Sequence, residues 1–189
     1  MSGGHWAYNI GKGGATVLLH HYILSYIGED RPGLVEELSA IIANNQGSWL
    51  ESRMANLAGQ FTGVVRLSVA AENAASLEHD IQAAQKDDLM LTLSRAEPIG
   101  AASRQRLVIK VIGADRPGII KELAAQLARL NVNVEDLQTD VRAAAMAGEP
   151  IFEAVVEVSA TDMLDQDRLR DELESLSDDL IVEVTNEAS

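Results

Sequence analysis

The sequence predicts an α+β chain of two ferredoxin-like βαββαβ domains, each a four-stranded antiparallel sheet with two helices on one face. Three observations predict it. The octet Ile112-Gly113-Ala114-Asp115-Arg116-Pro117-Gly118-Ile119 nearly repeats Ile27-Gly28-Glu29-Asp30-Arg31-Pro32-Gly33-Leu34, which stands 85 positions earlier. In each copy an apolar, strand-like run precedes the octet and a helix-periodic run follows it. The order strand, helix, strand, strand, helix, strand then recurs in both halves, and right-handed crossovers in that order place both helices on one face of the sheet.

Taken in order, residues 1–14 are Gly-rich and read as a flexible leader. Val17 to Ile27 form the first strand. Pro32 crowds Arg31 out of the αR region, so the first helix is expected to begin at the proline. Leu34, Val35, Leu38, Ile41 and Ile42 supply its apolar stripe, and Asn44, Asn45 and Gly47 stop it. Trp49 to Ala55 and Phe61 to Val69 make a hairpin about Ala58-Gly59. Leu77, Ile81 and Ala84 mark a second helix and Leu89 to Leu93 a fourth strand. Residues 97–103 are a linker between domains at 15–96 and 104–189.

The second half repeats this order. Leu107 to Ile112 is the strand, and Ile119, Ile120, Leu123, Leu127 and Leu130 are the helix stripe. Val132 to Val141 and Ile151 to Val158 are the hairpin, with a longer loop around Arg142 to Pro150. Leu169, Leu173 and Leu176 mark the last helix, and Leu180 to Val184 the last strand. On the parity opposite the core, Val64 and Val155 sit among Thr62, Arg66, Glu153 and Glu157. A half-apolar bare face of this kind implies a partner, through intramolecular domain pairing or a homodimer.

Composition narrows the function. Fifteen Lys and Arg against 29 Asp and Glu give a formal charge of −14, with no basic stripe. Such a surface repels phosphate, so direct nucleic-acid or anionic-membrane binding is not expected, and any role in gene control would run through another protein. The chain has no cysteine, which removes disulfides, thiolate metal sites and cysteine nucleophiles. His20 and His21 point to opposite faces of a strand. No apolar run is long enough to cross a bilayer, and the leader lacks the pattern of a secretory signal, so a cytoplasmic protein is expected. Asp162, Asp165 and Asp167 suggest part of a calcium loop, but its glycine and terminal glutamate are missing, and a charged helix start is expected instead. No catalytic arrangement, metal cluster or cofactor motif is present, so the chain is not expected to be an enzyme or to carry a cofactor.

The repeated turn is the chemically suggestive feature. Free amides at a helix start, beside a glycine without a side chain, suit a carboxylate, and Asp30 or Asp115 could accept an ammonium group. The ordinary alternative is that Asp caps the helix, Pro sets its first turn and Gly relieves a close approach, with no ligand.

Asp-Arg-Pro-Gly between strand and helix, with Asn131-Val132-Asn133-Val134-Glu135-Asp136 at the second strand, resembles the ACT domain, a regulatory module that binds amino acids between paired copies. Two such modules, with Trp49 to Met54 in the first and Met146 to Phe152 in the second, resemble the glycine cleavage system transcriptional repressor family. The resemblance implies a non-enzymatic regulator that responds to a small amino acid, glycine or similar, and restrains a DNA-binding regulator protein by contact. It implies ligand contacts at Asp30, Gly33 and Leu34 in the first module, and at Asp115, Gly118, Ile119, Asn131 and Asn133 in the second. Ser48 stands where Asn133 has its amide, which makes the second module the better binding candidate. The rival readings are a ligand-free interaction module and a stand-alone regulatory subunit of an amino acid metabolic enzyme.

Overall fold

The computed structural model describes residues 7–9, 16–96, 105–143, 150–161 and 163–186. The linker expected at 97–103, most of the leader, Asp162 and residues 144–149 of the longer loop lie outside the described residues. The chain divides into two compact units, 1–100 and 101–189.

The first unit runs β1 (Ala7–Asn9), β2 (Thr16–Glu29), α1 (Leu34–Asn44), β3 (Ser48–Leu57), β4 (Gln60–Ala70), a short 3₁₀ turn, α2 (Ala74–Ala83) and β5 (Leu89–Ala96). The second runs β6 (Gln105–Ala114), α3 (Ile119–Arg129), β7 (Asn133–Arg142), β8 (Ile151–Ala160), α4 (Gln166–Glu174) and β9 (Ile181–Asn186). Strands are ordered β3-β4-β2-β5 and β7-β8-β6-β9, with every pairing antiparallel. This is the expected ferredoxin-like topology, twice. One element is unexpected: within the stretch read as a leader, Ala7–Asn9 pair with Thr16–Leu18, below the β2–β5 ladder.

Side-chain periodicity explains each layer. Leu34, Leu38 and Ile42 of α1, and Ile119, Leu123 and Leu127 of α3, recur every fourth residue and are buried, so each helix lays one stripe on its sheet. Val35, counted in the expected stripe, is 41% exposed, because its position is rotated about 100° from Leu34 around a helix of 3.6 residues per turn. The strands contribute alternate residues, Tyr22, Leu24 and Tyr26 in one unit and Leu107, Ile109 and Val111 in the other. Tyr26 faces Gly63 across the ladder where Val111 faces Ala154. A Cβ on Gly63 would stand 2.6 Å from the Tyr26 hydroxyl, so the larger phenol is matched by the smaller partner.

Both first helices end alike. Gln46 and Asn131 adopt φ of 56° and 57°; the next residue's amide, of Gly47 or Val132, donates back to the carbonyl of Ile42 or Leu127 at 2.9 Å. This is a Schellman ending, which needs a left-handed residue at that place. The β3–β4 hairpin turns through Ala58 (φ 51°) and Gly59 (φ 82°), the two positive φ values of a type I′ turn.

The sheet face away from the helices carries matched apolar positions. Ile27, Val64 and Met90 in the first unit, and Ile112, Val155 and Ile181 in the second, are 40–67% exposed. Ile27 sits beside Met90 just as Ile112 sits beside Ile181.

The two stripes carry a stability prediction. Leu38→Ala and Leu123→Ala each remove a side chain that is at most 4% exposed, and each should cost about 2–5 kcal/mol in equilibrium denaturation. A loss near that of a surface substitution would contradict the assigned helix faces.

Candidate functional site

The Pro-Gly pair does not start the helix, contrary to the expectation from Pro32. Gly33 and Gly118 adopt φ 90°, ψ −4° and φ 93°, ψ −1°, the third position of a type II turn with proline second. Ile119 N donates to Arg116 O at 3.5 Å across that turn. Each helix therefore begins two residues after the proline, at Leu34 and Ile119, with glycine as N-cap. The proline fits either reading; the positive φ of the glycine decides between them.

No side chain caps either helix. Asp30 and Asp115 lie outside the capping position, which removes the ordinary explanation for these aspartates. Glu37 N and Glu122 N return to Gly33 O and Gly118 O at 2.9 and 3.0 Å, so they close the first helical turn. The amides of Val35 and Glu36 in α1, and of Ile120 and Lys121 in α3, precede that bond and are the groups a helix start leaves for an anion.

The turns are anchored from behind. Asp30 N donates to Gly59 O at 3.0 Å and Asp115 N to Pro150 O at 2.8 Å. A Cβ on Gly28 would meet Asp88 O at 2.7 Å, and one on Gly113 would meet a Leu180 methyl at 2.7 Å. Those glycines let the chain after α2 or α4 close on the turn. In the second unit the Asp179 carboxylate also accepts from Ala114 N at 3.2 Å. The Ser177 hydroxyl and that amide hold its pKa below the ordinary carboxylate range.

A clamp crosses each helix start. Arg31 donates to Glu37 at 2.5 Å, and Lys86 reaches the other carboxylate oxygen at 2.8 Å. Arg116 grips Glu122 with two nitrogens, at 3.0 and 2.5 Å. The carboxylate is held low by Lys86 and Arg31 at Glu37, and by Arg116 at Glu122. The arginines are thereby occupied by the protein's own carboxylates, which leaves amides to meet an anion. The sequence carried this signal, since Arg31/Glu37 and Arg116/Glu122 stand in the same relation in both copies.

Of the residues that the resemblance implies, Asp115, Gly118 and the Ile119 backbone lie together on one turn, and Asp30, Gly33 and Leu34 on the other. The Leu34 and Ile119 side chains belong to the cores, at 2% and 4% exposure, so only their main chain faces the turn. Asp30 accepts from Asn56 at 2.5 Å; among the described residues no side chain is bonded to Asp115. Asn131 and Asn133 are elsewhere. They follow the C-terminus of α3, ~20 Å from Gly118 at 1.5 Å rise per residue. Asn133 faces Ser159, which faces Arg106 at the start of β6, whereas Asp115 follows the end of that strand. Asn131 is the left-handed Schellman residue, and Asn133 donates to Glu135 at 2.9 Å. One module thus does not bring these asparagines to its own turn. Of the aspartates read as a charged helix start, Asp165 and Asp167 act so: Asp165 caps α4 by accepting from Asp167 N and Arg168 N, and Asp167 stands in its first turn.

Two βαββαβ modules, each offering an uncapped helix start behind an Asp-Arg-Pro-Gly turn, define a tandem module protein. The ACT domain model matches residues 20–94 and 105–186, and the chain belongs to the ACT domain family; it is an ACT-domain regulatory protein. It is 37% identical over 79 residues to the UPF0237 protein of Methanopyrus kandleri, an alignment covering 42% of this chain and 82% of that one. A crystal structure of an unknown protein from Galdieria sulphuraria superposes with a TM-score of 0.74 at 23% identity, over 90% of this chain and 99% of that one. A candidate glycine cleavage system transcriptional repressor superposes with a TM-score of 0.67 at 15% identity, over 89% and 99%. At those identities the two structures speak for the fold. No helix among the described residues is long and apolar enough to cross a membrane.

The clamps predict an acid dependence. Because Glu37 and Glu122 have folded pKa values below their unfolded value of about 4.3, their pairs stabilise the fold above that pH and stop doing so as pH falls through the folded value. Denaturation midpoints should therefore fall on acidification below about pH 5, and less steeply in Glu37→Gln/Glu122→Gln. An unchanged slope in the double variant would remove the clamps from the account. The turns carry a second prediction. A Cβ on Gly33 would meet nothing within 4 Å, so Gly33→Ala should cost only the left-handed backbone penalty, about 1–2 kcal/mol. Gly118→Val would combine such strain with any loss of binding, so it does not isolate a ligand contact.

Proposed function

We propose that the chain is an amino-acid-responsive, non-catalytic regulator that works by contact with a protein partner, in the manner of a glycine cleavage repressor. The observation that carries the reading is the second turn, where the uncapped amides of Ile120 and Lys121 stand after Gly118 and the exposed Asp115 carboxylate stands before it. The amides suit an amino acid's carboxylate and Asp115 its ammonium group. The net charge of −14 supports action on a DNA-binding regulator protein rather than on DNA, and the likeness to a candidate glycine cleavage system transcriptional repressor supports the link to glycine cleavage.

Isothermal titration with glycine, serine and the other amino acids tests this. Glycine has about five heavy atoms, and a ceiling of about −1.5 kcal/mol per atom limits its affinity to roughly micromolar. Saturable heat should appear with a small amino acid and weaken at least about tenfold in Asp115→Asn, the loss expected for a hydrogen bond to a charged group. Binding indifferent to Asp115→Asn would overturn the proposed contact. Absence of heat and of thermal shift with every amino acid would favour the second reading, an interaction module without ligand. That reading is supported by the first unit, where Asn56 already occupies Asp30 and Ser48 replaces the asparagine amide.

A further inference from the structure

Strand β7 stands at the edge of the second sheet, and among the described residues no strand pairs with its outer side. An open edge of ten residues is a template for a further strand, which proteins ordinarily guard with proline, charge or a covering element. β7 contains no proline, and its two rows of side chains differ. Val134, Leu137 and Val141 lie opposite Val158, Val156 and Phe152. Those partners are buried in the core, and directly opposed residues share a face, so the three stand in the row on the helix side. Yet they are 39%, 43% and 50% exposed. Helix α3 does not cover them. Its Gln126 amide bonds Glu172 of α4, and Ala124, about 200° round the helix from Gln126, is exposed. The other row is acidic. Asp136 lies opposite Glu157 and Asp140 opposite Glu153, and Arg142 pairs with Asp140 and Glu153.

The equivalent edge of the first unit is closed by its own side chains. On β3 the helix-side row is Trp49, Ser52, Met54 and Asn56, opposite Leu67, Val65, Gly63 and Phe61. Trp49 and Met54 pack against the core, Asn56 is bonded to Asp30, and Ser39 of α1 stands where α3 has Ala124. On the other row Glu51 lies opposite Arg66 and pairs with it at 3.2 Å. Two strands with the same bulge and the same place in the fold thus differ in what an incoming strand would meet.

We infer that β7 receives an extended segment of a partner protein in which apolar and basic side chains alternate. Its backbone pairs along the open edge, its apolar side chains lie beside Val134, Leu137 and Val141, and its Lys or Arg side chains lie beside Asp136 and Asp140. An extended segment fits because a strand sends alternate side chains to the two faces in step with β7. A helix laid on the apolar row would leave the acidic row unanswered. A basic segment fits because Asp136, Asp140, Glu153 and Glu157 share one arginine on that face. A second copy of β7 would add its own surplus of carboxylates instead of relieving the first. The inference rests on the reading of a regulator that works by protein contact, and is independent of any ligand at the turns.

Isothermal titration of the full chain, with no amino acid present, tests this with two short end-blocked peptides. In one, valine and lysine alternate; in the other, the same residues stand as a valine block and a lysine block, so charge and composition are equal. The alternating peptide should bind saturably and at least about tenfold more tightly than the block peptide, and should slow hydrogen exchange of amides in β7 but not in β3. Asp136→Lys/Asp140→Lys and, separately, Leu137→Lys should each weaken binding at least about tenfold, with folding checked by far-UV circular dichroism. Absence of binding into the millimolar range overturns the proposal. So do equal binding of the two peptides, protection on β3 instead of β7, or binding indifferent to either folded variant. A native chain that sediments as a dimer while Leu137→Lys sediments as a monomer gives the edge to a second copy and overturns it as well. Each of these failures leaves the proposed contact at Asp115 standing, whereas a chain that binds the alternating peptide but no amino acid keeps β7 and loses the ligand.

Discussion

The positive φ at Gly33 and Gly118 is the constraint on which the candidate site depends. Proline restricts the residue before it, and a residue free of a Cβ penalty then turns the chain back through the left-handed region without strain. That one conformation does three things. It starts the helix two residues after the proline, gives it an N-cap with no side chain to spend on the first amides, and throws the arginine across the helix start to a glutamate six residues on. The helix start is left polar and accessible while its flanks are tied to the hairpin turn behind it through Gly59 O and Pro150 O. A serine or aspartate in the glycine position would satisfy the amides locally but could hold that backbone only with strain.

On this shared frame the units have diverged in opposite directions. The first puts bulk inside, with Tyr26 over Gly63 and its hydroxyl buried without a hydrogen-bond partner among the described residues, and ties up other polar groups: Tyr22 donates to Glu78 at 2.6 Å and Asp30 is held by Asn56. The second has aliphatic residues at the equivalent core positions and leaves the Asp115 carboxylate with no side chain bonded to it among the described residues, while at the opening of β7 Glu135 accepts from Asn133 and Ser159. A Schellman ending and a bulge after the first residues of the second strand persist in both. Those features belong to the path of the backbone, whereas the side chains laid on it are free to differ.

Most of the architecture was legible because the chain states it twice. Apolar periodicity located the helices and strands, and the duplicated octet gave their register to one another. The failures have specific physical causes. A helix-initiating proline and a type II turn share the same dipeptide, and φ at Gly33 is not written in residue type. Asn131, a ligand contact that the resemblance implies, also fills the left-handed place after a helix, which asparagine tolerates best among residues with a side chain. The equivalent Gln46, in the same conformation, shows that the position is set by the helix ending. Val35 failed for a geometric reason, since a residue adjacent to a core position is rotated off the stripe. Strand β1 left no trace in pattern, because three residues in a Gly-rich stretch carry too little periodicity to read. The clamps were present as a repeated Arg and Glu spacing, but only the turn's geometry brings the two together.

The unequal distribution of bulk inside the two cores also has an optical consequence. Both tryptophans, Trp6 and Trp49, and all three tyrosines, Tyr8, Tyr22 and Tyr26, belong to the first unit, while the second contains neither residue type and has Phe152 as its single aromatic ring. Ultraviolet fluorescence excited above the phenylalanine band therefore reports on one half of the molecule alone, and backbone circular dichroism on both. A transition seen by circular dichroism and absent from the fluorescence therefore belongs to the second unit, read from the intact chain without a label or a cut.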